Sequence, residues 1–216
     1  MSLSLLEEYI ETGDQASIEK VLQQDPSLAL QRTSHDISPL LLACYYNKPQ
    51  IVRMLLRYLP YLTIHEAAAS GQGDVLSRLL VNQPDSLDAV SDHGFTPLGL
   101  ATHFGHEDLV RLLLAEGADP NRCSQNGYSV YPLHTAISSN FESIAKMLIE
   151  AGAFVNVVQS SRMSPLHLAA QNGNIEIIIL LLEQGASIEA QTDFGQTPSE
   201  LAKEKGYLEI SEILKY

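Results

Sequence analysis

Seven times along its 216 residues the chain writes a start residue, a short apolar run and then a glycine or asparagine, and no other feature so narrows what it can fold into. Counted from the residue before the proline, or its counterpart, the copies begin at Ser4, Ser38, Leu62, Thr96, Tyr131, Ser164 and Thr197, spaced 34, 24, 34, 35, 33 and 33 residues apart. Five residues after each start stand Tyr9, Ala43, Ala67, Ala101, Ala136, Ala169 and Ala202, so six of the copies carry a residue small enough for neighbouring helices to approach closely. Four residues further come Gly13, Asn47, Gly71, Gly105, Asn140, Gly173 and Gly206, the two residue types that best tolerate the left-handed conformation ending a helix. An apolar pair follows in segments of helical period, at Val21-Leu22, Leu55-Leu56, Leu79-Leu80, Leu113-Leu114, Leu148-Ile149 and Leu181-Leu182, which predicts a second helix behind the first.

Each place has a physical reason. A Ser or Thr hydroxyl accepts from the open N–H groups of a first helical turn, and a proline directly after it lacks the donor that would go unsatisfied. One helix pair alone leaves its apolar stripe in water, so the copies must stack, at about 25 cal/mol per Å² of apolar surface removed. The expected architecture is all-α, one domain over residues 1–216 with copies at 2–32, 33–59, 60–90, 91–123, 124–158, 159–191 and 192–216.

Composition bounds the partners. Twenty-six acidic residues against thirteen basic ones give a net charge of −13, which repels a polyanion and makes nucleic acid an unsuitable partner. The longest apolar run, Ile177 to Leu182, is far short of the roughly 20 residues a membrane helix needs. Glu7, Glu8 and Glu11 stand where an export signal would require an apolar stretch. Cys44 and Cys123 lie more than two copies apart, too far to bridge at roughly 8 to 10 Å per packed helix layer, so both are read as reduced, in a cytoplasm-like compartment.

Ser164-Pro165-Leu166-His167-Leu168-Ala169-Ala170 and Tyr131-Pro132-Leu133-His134-Thr135-Ala136, recurring with the helix stop and the leucine pair, resemble the ankyrin repeat, whose signature is Thr-Pro-Leu-His-x-Ala near a period of 33. The resemblance covers essentially the whole chain and is similar to short stand-alone bacterial ankyrin-repeat proteins. It implies antiparallel helix pairs joined by projecting hairpin-like loops, here Ser91 to Phe95, Ser124 to Val130, Gln159 to Met163 and Thr192 to Gln196, entered through segments such as Gly117 to Asn121 and Gly152 to Asn156. It also implies that His65, His134 and His167 occupy a slot whose side chain hydrogen-bonds to the neighbouring loop. The end copies, with Leu5 for proline and Glu7, Glu8 and Glu11 in the first and Glu200, Lys203, Glu204 and Lys205 in the last, look like polar caps of a complete array. Two departures stand out: the loop between the second and third copies is missing, the chain turning through Leu59-Pro60-Tyr61, and the loop holding Asn126 to Tyr131 is two residues longer than the one before Thr96.

The sequence offers little to catalysis. His65-Glu66-Ala67-Ala68-Ala69 lacks the second histidine of a zinc-protease helix, and Gly71-Gln72-Gly73 lacks the third glycine of a dinucleotide loop. His103 and His106 are the best case for a metal hydrolase, yet Gly105 between them is a helix stop. No cofactor or metal is expected, and the chain reads as a monomeric, non-catalytic module that binds another protein through its concave face, with a basic toxin or enzyme as a narrower alternative. Loop tips and the positions before each helix stop supply the candidate contacts: Tyr45, Tyr46, Asp92, His93, Phe95, His103, Phe104, Tyr128, Val130, Arg162, Met163 and Gln171. The competing reading is that Tyr45 and Phe104 only pack between copies.

The register itself can be tested by removing one apolar-pair residue. Leu181→Ala is expected to cost about 2 to 5 kcal/mol in urea denaturation, and an unchanged midpoint would refute the register.

Overall fold

In the computed structural model, which describes residues 3–215, an α-helix lies at or next to each of the seven starts and a second one returns behind it. The chain divides into two compact units, residues 1–82 and 83–216. The first contains α1 (Leu3–Thr12), α2 (Gln15–Gln24), α3 (Pro39–Tyr45), α4 (Pro49–Leu55), α5 (Ile64–Ala69) and α6 (Gly73–Asn82). The second contains α7 (Pro97–His103), α8 (Glu107–Ala115), α9 (Pro132–Ser138), α10 (Glu142–Glu150), α11 (Pro165–Asn172), α12 (Ile175–Glu183), α13 (Pro198–Glu204) and α14 (Leu208–Ile213). Short 3-10 helices at Pro26–Leu30, Pro84–Ser86 and Ser160–Arg162 punctuate the connections, and no strand occurs among the described residues.

Within each unit first helices pack on first helices, as α7 on α9, α9 on α11 and α11 on α13, and second helices pack on second helices, as α8 on α10 and α10 on α12. The small-residue position explains how first helices come so close: Ala43, Ala67, Ala101, Ala136, Ala169 and Ala202 are all wholly buried. In the first unit the core is built from Leu6, Ile10, Ile18, Leu22, Leu40 and Leu55, and in the second from Leu98, Leu113, Leu133, Leu148, Leu166, Ile178 and Leu181.

Most helix starts are capped as the hydroxyl pattern requires. Ser38, Thr96, Ser164 and Thr197 accept from the backbone N–H three residues on, at 3.0 to 3.4 Å. The third copy corrects the expected register, because Thr63 and not Leu62 is its cap. The Thr63 hydroxyl accepts from Glu66 N–H at 3.1 Å while Thr63 N–H donates to the Glu66 carboxylate at 2.9 Å, whereas a leucine side chain has nothing to offer a helix N-terminus. His65 therefore falls at the second helical position, and Glu66 takes the place expected for the histidine. The first copy is corrected as well: Ser4 lies inside α1, and Glu7 is buried rather than displayed.

All seven expected stops have left-handed backbones, with φ between 52° at Asn47 and 87° at Gly206. Two of them face a second demand. The Phe141 ring lies so close to Gly105 that an added Cβ would come within 2.9 Å of it, and the Tyr207 ring would meet one at Gly173 within 2.5 Å.

Connection lengths carry the two irregularities. Residues 25–38, 83–96, 151–164 and 184–197 make connections of fourteen residues, residues 116–131 make one of sixteen, and residues 56–63 make one of only eight. In the second unit the longer connections are tied together by side chains. Asn121 Nδ2 donates to Gly152 O at 3.0 Å while its Oδ1 accepts from Phe154 N–H at 2.7 Å, and Asn156 repeats the pattern on Gly185 O and Ser187 N–H.

Gly173→Ala is expected to cost about 2 to 4 kcal/mol, combining left-handed strain with the collision against Tyr207. Gly185→Ala, where φ is +80° and no atom lies within 4 Å of the added Cβ, should cost only about 1 to 2 kcal/mol from strain. Urea denaturation of the two variants checks the difference.

Candidate functional site

Each projecting loop is closed by a backbone bond across its neck. Ser91 N–H donates to Phe95 O at 2.9 Å, Ser124 to Val130 O at 2.9 Å, Gln159 to Met163 O at 3.1 Å and Thr192 to Gln196 O at 3.0 Å, with Thr33 to Ile37 O at 2.8 Å as the counterpart in the first unit. The Ser124–Val130 neck encloses five residues where the others enclose three, which puts Tyr128 on an enlarged tip. Backbone bonds from Gln125 N–H to Gly94 O at 2.7 Å and from Asp193 N–H to Ser161 O at 3.1 Å run from one loop to the one before it.

The residue three after the start sets how firmly the following loop is held. His134 Nε2 lies 3.1 Å from Met163 O and His167 Nε2 lies 3.0 Å from Gln196 O, so each wholly buried ring donates to the next loop's carbonyl. Glu7 does the same work with opposite polarity, its carboxylate accepting from Ser34 N–H and Ser34 Oγ, both at 2.7 Å. Leu41 occupies this position where the next connection is the short one, and Gly99 where the next loop is the enlarged one. The two histidines differ on their other side. His167 Nδ1 meets Ser164 Oγ at 2.7 Å and accepts from Ser164 N–H at 3.2 Å. Tyr131 replaces that serine before His134, and His134 Nδ1 has no hydrogen-bond partner among the described residues. Burial pushes both imidazoles below their ordinary range, His134 to about 4 against the weaker opposing effect of the Met163 carbonyl.

The candidate contact residues fall in both units. In the first, Tyr45 ends α3 and Tyr46 follows it, each 41% exposed. The Tyr46 hydroxyl donates to Glu11 Oε1 at 2.8 Å, and that bond raises its pKa. In the second, His103 ends α7 and is exposed, its ring edge-on to half-buried Phe104 with centroids 4.8 Å apart, and the Phe104 ring stands 6.4 Å from His106. Partial desolvation of the ring, although the residue is exposed, lowers the His103 pKa. Asp92 and Arg162 are exposed at loop tips, Tyr128 is 68% exposed, and His93, Phe95, Val130, Met163 and Gln171 are half-buried. Phe95 and Val130 close their loops through backbone bonds, and the Met163 carbonyl receives His134. Sequence reasoning misses Phe194, 81% exposed on the Thr192–Gln196 loop, although an aromatic just before Gly195 in a projecting loop is signal enough. No group of three or more His, Cys, Asp or Glu close enough to hold a metal occurs among the described residues. No described helix is long and apolar enough to cross a membrane.

The repeat, its stops and its loop clamps agree with one family model, ankyrin repeats (3 copies), which matches residues 64–159 and 133–216. The chain belongs to the ankyrin-repeat family. Ankyrin repeats mediate protein–protein interaction and are typically non-catalytic. Among curated relatives, the chain is 31% identical over 98 residues to the rat ankyrin repeat and SAM domain-containing protein 6, covering 45% of this chain and 11% of that one. It is 32% identical over 125 residues to the NF-kappa-B inhibitor cactus of Drosophila yakuba, covering 55% and 25%. It is 42% identical over 60 residues to the human DNA-binding protein RFXANK, covering 28% and 23%. The chain thus matches at most a quarter of the length of each of these three relatives.

His134 makes stability depend on pH in a defined direction. Its folded pKa lies below the unfolded value near 6.5, so its contribution is complete above pH 6.5 and is lost as pH falls toward about 4, by roughly 3 kcal/mol. Urea midpoints measured from pH 7 to pH 4 should fall less steeply for His134→Gln than for the unaltered protein.

Proposed function

We propose that this ankyrin-repeat chain is a monomeric, non-catalytic binding module that masks a surface of another protein, with contacts drawn from its loop tips and from the ends of its first helices. The observation that carries the reading is a division of labour between positions. The recurrent residues are consumed by the fold: buried alanines, capped starts, left-handed stops and histidines bonded to loop carbonyls. The residues that vary between copies at loop tips and before the stops, among them Tyr45, Tyr46, Asp92, His103, Tyr128 and Arg162, are exposed. Exposed aromatics supply contact area at low entropy cost.

The similarity to an NF-kappa-B inhibitor supports action by occlusion. The net charge of −13 favours a basic partner. The same charge argues against carrying over DNA binding from the relative named for it. A reducing, cytoplasm-like setting accords with two free cysteines, one buried and one half-buried.

The test is capture of partner from lysate of the source organism with the immobilised chain, followed by mass spectrometry. Joint replacement of Tyr46, Phe104 and Tyr128 by Ala is expected to abolish stoichiometric capture while far-UV circular dichroism stays unchanged, and undiminished capture would reject these residues as contacts. A basic partner predicts a complex that loosens as salt rises.

A further inference from the structure

The short connection leaves a groove in the first unit, of about 420 Å³, lined by Leu56, Leu59, Tyr61 and Leu62 on one side and by Val75, Arg78 and Leu79 of α6 on the other. Its floor is unusual for the positions it occupies. Val75 and Leu79 stand four and eight residues after their helix stop, where other copies place Ile51 and Leu55, Leu109 and Leu113, Ile144 and Leu148, and Ile177 and Leu181, all at most 4% exposed. In α6 both remain half-buried. Two positions that elsewhere belong to the core are here left partly open to water, and Tyr61, 71% exposed, stands at the edge.

One lining residue, Arg78, is basic, and the segment that leads into the groove has a charge opposite to that of the chain. From Ile37 to His65 the sequence has Lys48, Arg53 and Arg57 and no acidic residue, in a protein with twice as many acids as bases. Arg53 precedes groove-lining Leu56 by three residues and Arg57 follows it directly. Elsewhere Arg32, Arg111, Lys146 and Lys215 each hold a carboxylate. Arg53, Arg57 and Arg78 hold none among the described residues: Arg78 spends its Nε on the Asp74 carbonyl at 3.1 Å, which leaves the charge uncompensated. Arg78 on the groove and Arg53 and Arg57 in the segment flanking Leu56, all without carboxylates, together with an unfilled apolar floor ask for a ligand that brings both missing parts.

We propose that this groove docks a short acidic segment of another protein, whose apolar side chains cover Val75 and Leu79 and whose carboxylates pair with Arg57 and Arg78. The volume suits a few side chains of a peptide and not a globular domain. The groove shares no residue with the loop-tip contacts, so the two surfaces can be engaged separately. An acidic segment also explains how so acidic a chain would hold it: attraction comes from the local arginines at short range, while salt screens the distant carboxylates.

The experiment selects a random dodecapeptide library on the immobilised full chain and titrates the enriched peptides by fluorescence anisotropy. Peptides combining Asp or Glu with Leu, Ile or Phe are expected, with affinity reduced at least about tenfold by the exposed-site pair Arg57→Glu and Arg78→Glu, reduced by Leu79→Ala, and unchanged by Tyr46→Ala with Phe104→Ala. Far-UV spectra of the arginine variants establish that they fold. No enrichment, enrichment without acidic bias, or affinity that survives charge reversal overturns the proposal. So does phosphatidylserine vesicle binding lost on charge reversal, which would make the ligand a lipid surface, or a dimer in sedimentation velocity that charge reversal dissolves, which would make it a second copy.

Discussion

No helix pair in this chain can bury its own apolar stripe, and everything else follows from the resulting need for a neighbour. The six buried alanines let first helices approach to the distance at which leucines from adjacent pairs fill the space between them. Close approach fixes the angle at which the chain leaves each helix, and that exit angle demands a left-handed residue. Only then do the connections project far enough for one loop to bond to the next, as Gln125 does to Gly94 and Asp193 to Ser161. The hydrogen-bonded loop edge is therefore a product of hydrophobic packing some distance away, and it inherits its spacing from helix diameters.

Much of this is legible in the order of residues alone. The four loops implied by the resemblance to the ankyrin repeat are closed at the very residues named for them, and all seven stops read from the register have positive φ, because both features depend on local chemistry that a residue type largely decides. Legibility fails where a choice is settled by competition between neighbours. Leu62 and Thr63 both fit the spacing, and the hydroxyl of Thr63 wins the cap with the help of Glu66, a partner the repeat signature does not include. Glu7 reads as a surface acid until Ser34, from the next copy, supplies two donors for it. The exposure of individual rings is illegible for the same reason: Tyr46 and Phe104 occupy equivalent positions, yet one reaches Glu11 in the open and the other settles against His103 and His106 half out of water.

The position three after each start shows how one place in a repeat can be tuned without altering the fold. A histidine donates to the following loop, a glutamate accepts from it, and a glycine or leucine side chain can do neither. Firmness is thereby distributed unevenly along the chain. The loops ending at Met163 and Gln196 are clamped by buried imidazoles, while the enlarged loop carrying Tyr128 is held by its own neck, by Ser124 and Asn126 side-chain bonds within it and by the Gln125 N–H it donates to Gly94 O of its predecessor. A surface that must accommodate a partner gains from having its largest loop among the less constrained ones.

The rings over Gly105 and Gly173 bear on something else, the order of the copies. A helix stop here can be glycine or asparagine, and at two of the glycines the residue just after the stop of the next copy rules out anything larger. Where that residue is Phe141 or Tyr207, the stop beneath is Gly105 or Gly173, with no room for a Cβ. Where it is Gln72 or Asn174, the preceding stop is Asn47 or Asn140. Units that look interchangeable in sequence are therefore keyed to their successors. Exchange of the fifth and sixth copies would set Tyr207 on Asn140, and duplication of the fifth would set Phe141 on Asn140, so this stretch of the array can drift residue by residue more easily than it can be shuffled.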